Sequence, residues 1–259
     1  MPPTPAAKSP ASRARPKPAA PPPTLVLLVR HGTTPTTGKV LPGRAPGLHL
    51  AETGQEQASS VARRLLRWSE AAALRPAPAT GRVAGGAARH PGGGDDAPGR
   101  AGIAAVYASP LERTRETAAP IARELGLKVR THKGLIECDF GEWTGAELKD
   151  LMKRPEWTTV QRYPSGFRFP SGESFTAMQA RMVDTIAELC RGHVGQTIVA
   201  VSHADPIKAA VADALGSHLD LFQRIVISPC SVTAISYGSV GPTVLAVNST
   251  SDLTDLVPS

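Results

Sequence analysis

The segment that most constrains this chain is LVLLVRHGTT at residues 25–34, an apolar run of strand length that stops abruptly at Arg30, His31 and Gly32. A run of this kind, rich in β-branched and aliphatic residues and too short for a helix, reads as a strand buried on both faces. Such strands belong to parallel sheets covered by helices, and they deliver their last residues to the carboxyl edge, where open α/β sheets hold ligands. A second run, TIVAVS at 197–202, ends in the same way at His203. Two parallel strands that each finish on a histidine can set two imidazoles around one small pocket, and neither histidine alone carries that implication.

Between the two runs, strand and helix patterns alternate. Residues 53–68 read as a helix, 103–108 as a short strand, and 110–125 as a helix opened by Pro110 and closed by Gly126. Residues 127–130 read as a strand, 173–191 as a long helix, and 206–215 as a helix stopped by Gly216. Strands at 232–237 and 243–247 flank a Gly238 to Pro242 turn and form a terminal hairpin. The expected fold is α/β: a three-layer αβα sandwich, its central sheet mostly parallel, with helices on both faces.

Two stretches fall outside this pattern. Residues 1–23 are mostly Pro and Ala, with Lys8, Arg13, Arg15 and Lys17 and no acid, and are expected to be a disordered basic tail. Residues 71–102 are rich in Ala, Gly, Pro and Arg without helical or strand period and are expected to be a flexible surface insertion. One domain is expected over 24–250. The 259-residue chain carries a formal charge of +7, but four of its cations sit in the tail. No basic stripe is interleaved with aromatics, so nucleic acid is not an expected partner. No segment has the length of a membrane span or a secretory apolar core, so the expected setting is the cytoplasm, without a membrane partner. The three cysteines are far apart, with no CxxC pair and no ligand cluster, and neither a disulfide, a metal nor a cofactor is expected. Nothing in the sequence sets an oligomeric state.

Two further pieces bring charge to the same sheet edge. In SPLERTRET at 109–117, a strand gives way to a helix whose free N–H groups face the edge, and Arg113 lies one turn in, on the pocket side if Leu111 faces the core. Arg115 points elsewhere and reads as a surface partner of the neighbouring acids. In LIECDFGEWTG, Glu137 and Asp139 share a face by alternation and Glu142 follows a Phe140-Gly141 turn, so spacing leaves the choice of a general acid open.

Taken together these residues resemble the histidine phosphatase superfamily, the phosphoglycerate mutase-like proteins. The resemblance rests on Arg30-His31-Gly32, on Ser109, Leu111, Arg113, Thr117 and Ala118, on Glu137, Gly141 and Gly145, and on Ser202-His203-Ala204, in family order from about Leu25 to Val247. PLERTRETAAPI, FGEWTGAELKDL and FQRIVISPCSV further resemble an actinobacterial group labelled phosphoglycerate mutase or phosphomutase. The resemblance implies that His31 is the nucleophile that takes the phosphoryl group, that Arg30, Arg113 and His203 hold its oxygens, and that Glu137 is the proton donor. The chain departs from the pattern at Ala204, where the family has glycine, and at Thr37, where many mutases carry asparagine. Thr37, Ala204 and Arg44, the last in the following loop, are candidate substrate contacts.

The implied activity is hydrolysis of a small phosphorylated metabolite through phosphohistidine, with a mutase as the alternative and a non-catalytic phospho-ligand binder behind both. A mutase needs a second anion site, for which Lys153, Arg154, Arg162 and Arg168 in the segment 153–170 are the candidates. The aromatic character and shortness of that segment favour a hydrolase.

Overall fold

The computed structural model describes residues 20–74, 102–251 and 253. In chain order its main elements are β1 (Thr24–Arg30), α1 (Glu52–Leu74), β2 (Ile103–Ala108), α2 (Glu112–Leu125), β3 (Val129–Thr131), α3 (Leu148–Leu151), α4 (Pro155–Arg162), α5 (Phe175–Gly192), β4 (Thr197–Ser202), α6 (Ala204–Ala214), β5 (Val232–Gly238) and β6 (Gly241–Ser249). The strands form one sheet in the order β3-β2-β4-β1-β5-β6. The first four of these are parallel, and the terminal hairpin adds β5 antiparallel to β1.

Strand alternation sorts β1 between two cores. Leu25, Leu27 and Val29 point toward α1 and α2, joining Val61, Leu65, Trp68 and Ile121. Val26 and Leu28 point the other way, joining Met182 and Ile186 of α5 and Ile207 and Val211 of α6. Both faces of the sheet are therefore covered, which is why the run carries no polar residue before Arg30. A third, aromatic cluster of Trp143, Phe167, Phe169, Phe175 and Phe222 lies under the connection between β3 and α5. Phe169 meets Phe140, Phe167 and Phe175 edge to face at centroid distances of 4.9 to 5.2 Å.

Several boundaries differ from the sequence reading. α1 runs on to Leu74, because EAAAL is made of strong helix formers and the low-complexity composition there does not oppose a helix. The expected insertion thus starts no earlier than residue 75, and its residues 75–101, like tail residues 1–19, lie outside the described residues. Pro110 precedes the N-cap Leu111 of α2 and stands outside the helix, while Gly126 closes it in the left-handed conformation. The hairpin turn is tighter than expected, since β5 and β6 pair as far as Gly238 and Gly241. Among the described residues, no helix is long and apolar enough to cross a membrane.

Candidate active site

Parallel pairing of β1 and β4 sets Arg30 opposite Ser202, so the residues that follow, His31 and His203, emerge side by side at the carboxyl edge. The His31 amide donates to the Ser202 carbonyl (3.0 Å) and the Ser109 amide to Val201 (3.0 Å), which ties the exits of β1, β4 and β2 together. Gly32 then passes close to the start of α1. A Cβ on Gly32 would stand 2.5 Å from the Gly54 carbonyl oxygen, so this approach admits only glycine. Its amide donates to Thr117 Oγ1 at 3.0 Å, and that hydroxyl donates to the Arg113 carbonyl at 2.7 Å.

His31 is 6% exposed, and its Nδ1 lies 2.7 Å from the Gly32 carbonyl. Because a carbonyl can only accept, Nδ1 carries the proton and Nε2 the lone pair. Burial, then the Arg113 guanidinium, push the His31 imidazole down to about 3, and Arg30 adds to the effect, so the ring is neutral at ordinary pH.

His203 is fully buried, and its Nε2 lies 2.9 Å from Ser109 Oγ. Ser109 Oγ accepts the Leu111 amide at 3.4 Å, and where it donates its own proton to His203 Nε2 the His203 proton sits on Nδ1. Burial and the neighbouring Arg113 hold this imidazole, too, well below its usual value.

Arg113 is buried completely, with Nη2 donating to the Gly43 carbonyl at 2.7 Å. Arg30 donates through Nη1 to the Ile227 carbonyl at 2.6 Å. Arg113 Nε, Arg113 Nη1, Arg30 Nε and His203 Nδ1 are buried and have no hydrogen-bond partner. Leaving a charged donor buried and unmet costs several kcal/mol, and native proteins rarely tolerate it without a functional reason. Three of these nitrogens belong to guanidinium groups that act electrostatically on His31, and the fourth to the neutral His203 ring, whose centroid lies 5.2 Å from that of His31, so together they suit an anion with several oxygens. Arg115, by contrast, is exposed on the far side of α2.

The structure separates the three candidate acids. Glu137 is 8% exposed, with Oε1 accepting the Cys138 amide at 2.9 Å and Oε2 3.9 Å from His203 Nδ1. Burial, reinforced by Asp205 and opposed by Arg113, raises its carboxyl to about 7. Asp139 accepts the Gly141 amide at 3.0 Å and pairs with Arg44, and Glu142 is exposed, accepting from Ser171 Oγ at 2.9 Å.

Arg44 has a role the sequence did not indicate. It donates to the Glu137 carbonyl at 2.8 Å and pairs with Glu173 at 3.0 Å and Asp139 at 3.5 Å, and it is absent from the cavity wall. Where the sequence offered Arg44 as a substrate contact, the structure holds its guanidinium on the loop that carries Glu137. Arg181, which sequence reading passed over, completes this brace. It grips Glu173 through two bonds of 3.0 and 2.9 Å and the Gly134 and Ile136 carbonyls at 2.8 and 2.9 Å.

Above His31 opens a cavity of about 420 Å³. Thr37 and Ala204 line it, with Thr37 Oγ1 also accepting the Thr34 amide at 2.9 Å. The segment 153–170 contributes Trp157, Val160, Gln161 and Phe169 to the wall but none of its cations. Lys153 pairs with Asp150 at 2.8 Å, Arg154 lies over the Trp143 ring at 5.5 Å, Arg168 donates to the Gly172 carbonyl at 3.1 Å, and Arg162 is exposed. No group of three or more potential metal ligands occurs among the described residues.

Comparison with known proteins points the same way. The model of the histidine phosphatase superfamily (branch 1) matches residues 97–250. A bifunctional protein of Mycobacterium tuberculosis is 31% identical over 88% of this chain, which spans 54% of that relative's length. Phosphoserine phosphatase 1 of Hydrogenobacter thermophilus is 30% identical over 57% of this chain and 71% of its own. Among solved structures, mycobacterial glucosyl-3-phosphoglycerate phosphatase superposes with a TM-score of 0.69 at 20% identity, covering 87% of this chain and 99% of that one.

Proposed function

The chain belongs to the histidine phosphatase superfamily, and on that premise we propose that it hydrolyses a phosphomonoester through a phosphohistidine at His31. The observation that carries this reading is the set of four unpartnered buried nitrogens on Arg30, Arg113 and His203, the residues that neighbour His31, whose Nδ1 holds the proton and leaves Nε2 free. A neutral imidazole is the nucleophilic form, and its lone pair faces a site that only a multi-oxygen anion satisfies.

The sequence of events follows from these groups. His31 Nε2 attacks phosphorus in line, forming a P–N bond as the P–O bond to the leaving group breaks. The Arg30 and Arg113 guanidinium groups and His203 Nδ1–H hold the three equatorial oxygens, where charge concentrates in the transition state. Glu137, whose raised proton affinity keeps about half of it protonated near pH 7, gives its proton to the departing oxygen. A water molecule then attacks the phosphohistidine, Glu137 takes the water's proton, the P–N bond breaks, and inorganic phosphate leaves with His31 neutral again. Every proton is handled by this chain's own residues, so the reading includes no metal requirement.

Hydrolysis is preferred to phosphoryl relocation within a substrate because none of the cations of 153–170 lines the cavity and the lysine that does, Lys208, is paired with Asp205. A pure binding module is disfavoured by Glu137, which a binder of phosphate has no use for. The relatives named for phosphoserine and glucosyl-3-phosphoglycerate support the class of reaction. The test is nitrophenol release from p-nitrophenyl phosphate in EDTA. Turnover that disappears in His31→Ala supports the proposal, and turnover that survives in that variant, or that EDTA abolishes in the wild type, contradicts it.

A further inference from the structure

The walls of the cavity bear on what is esterified to the phosphate. Beyond the phosphate cluster and Glu137, the charged residues lining it are Lys208 and Asp205, and these are paired with each other at 3.3 Å. Lys208 Nζ also donates to Gln223 Oε1 at 3.2 Å and lies 5.7 Å from the Phe222 ring centroid, so its charge is already met on three sides. The rest of this wall is largely apolar. Leu41, Trp157, Val160, Ile225, Val226 and Ile227 face the space, and Val226 is 65% exposed although it belongs to a structured connection. Trp157 is held flat by stacking on Trp143, with an interplanar angle of 22°.

We infer that the leaving group taken by this cavity is an uncharged, largely apolar alcohol of aromatic or similar flat shape, with the Asp205–Lys208 pair excluding carboxylate-bearing phosphates. The inference rests on the hydrolase reading for its kinetic form, and on cavity chemistry alone for its binding form. A carboxylate on the substrate would meet Asp205 with no uncommitted cation to offset it, since Lys208 is already paired, and like charges brought together in a partly dry site are strongly disfavoured. An aromatic ring would instead cover Val226 and lie against Trp157, removing apolar surface from water. The phosphoserine and glucosyl-3-phosphoglycerate named for the relatives both carry a carboxylate, so this chain is inferred to differ from them in substrate.

The experiment compares kcat/KM for 1-naphthyl phosphate with that for phosphoserine and 3-phosphoglycerate, and in parallel the binding of naphthylmethylphosphonate and 3-phosphonopropionate by calorimetry. The expected result is a preference of about tenfold or more for the naphthyl compounds in both measurements. Asp205→Asn, which releases Lys208, narrows that preference, and Trp157→Ala raises KM for 1-naphthyl phosphate more than for phosphoserine. Equal or better use of the carboxylate compounds overturns the inference. If no phosphate ester is turned over, the hydrolase reading fails and the phosphonates decide: tighter binding of the naphthyl compound upholds the inference, and equal, reversed or absent binding overturns it.

Discussion

The imidazole rings of His31 and His203 meet edge to face, with centroids 5.2 Å apart and an interplanar angle of 62°. Such closeness beside two buried guanidinium groups is sustainable only if both rings are neutral. Their second hydrogen bonds then give them opposite functions. The Gly32 carbonyl takes the proton side of His31 and exposes a lone pair, whereas Ser109 takes the lone-pair side of His203 and exposes a proton.

Ser109 should therefore matter although it lines no part of the cavity. In Ser109→Ala the His203 tautomer is no longer fixed, and the loss of one buried hydrogen bond, about 1.4 kcal/mol, predicts a fall in kcat of roughly tenfold. Thermal unfolding and kcat measured on the same sample separate this from a general loss of fold, because Ser109→Thr, which retains a hydroxyl, is expected to recover much of the rate.

Arg113 leaves two unmet donors at the site, and its removal should weaken the transition state more than any other single truncation there apart from His31. Arg113→Ala is expected to lower kcat/KM by about 10²–10³. Arg113→Lys recovers little, since an ammonium cannot reproduce both the Gly43 anchor and a planar fork. Steady-state kinetics with inhibition by inorganic phosphate or vanadate checks both effects.

These residues also mark what sequence could and could not disclose. Arg30, His31 and His203 were legible because strand length and apolar character dictate where the chain leaves the sheet. Glu137 was not separable from Asp139 by spacing, since both lie in an irregular loop. What distinguishes them is that Asp139 is taken by the Gly141 turn and Arg44 while Glu137 turns inward. The brace of Arg44, Glu173 and Arg181 was invisible for a different reason. Its partners are far apart in the chain, as with Arg44 and Glu173 at a separation of 129 residues, and no local pattern announces such a pairing. For the cations at 153–170 charge was legible and direction was not, so sequence could offer them only as candidates for a second anion site.

Arg181 tests that brace. Arg181→Met keeps the bulk of the side chain but frees Glu173 and the carbonyls of Gly134 and Ile136. Glu137 then loses its fixed position, and the alkaline limb of the kcat profile is expected to move and broaden while KM changes little. A parallel loss of kcat and stability with an unmoved limb would reduce Arg181 to a structural role.

Glu137 makes a prediction about pH in two currencies. Its carboxyl rises from 4.5 to about 7 on folding, so folding favours the protonated form. The corresponding stability is fully present below about pH 4.5 and is lost as pH rises through 7, an effect of up to about 3 kcal/mol. Glu137→Gln removes that loss, and its melting temperature relative to wild type should climb between pH 5 and pH 8. Activity follows the same titration: the proton-donating form fades above pH 7 in the wild type, and the variant lacks this limb and most of the rate. His31 works in the other direction, since its lowered value means stability present above pH 6.5 and lost as pH falls toward 3. His31→Ala should therefore gain on wild type in acid.

The central claim is that phosphate passes covalently through His31. Mixing enzyme with an activated phosphomonoester, quenching in alkali within milliseconds and measuring the mass of the peptide that contains His31 tests it directly. The account predicts one added phosphoryl group on His31 that is stable in alkali, labile in acid and absent from His31→Ala. Phosphate turnover with no label on His31, or label on another residue, would contradict it.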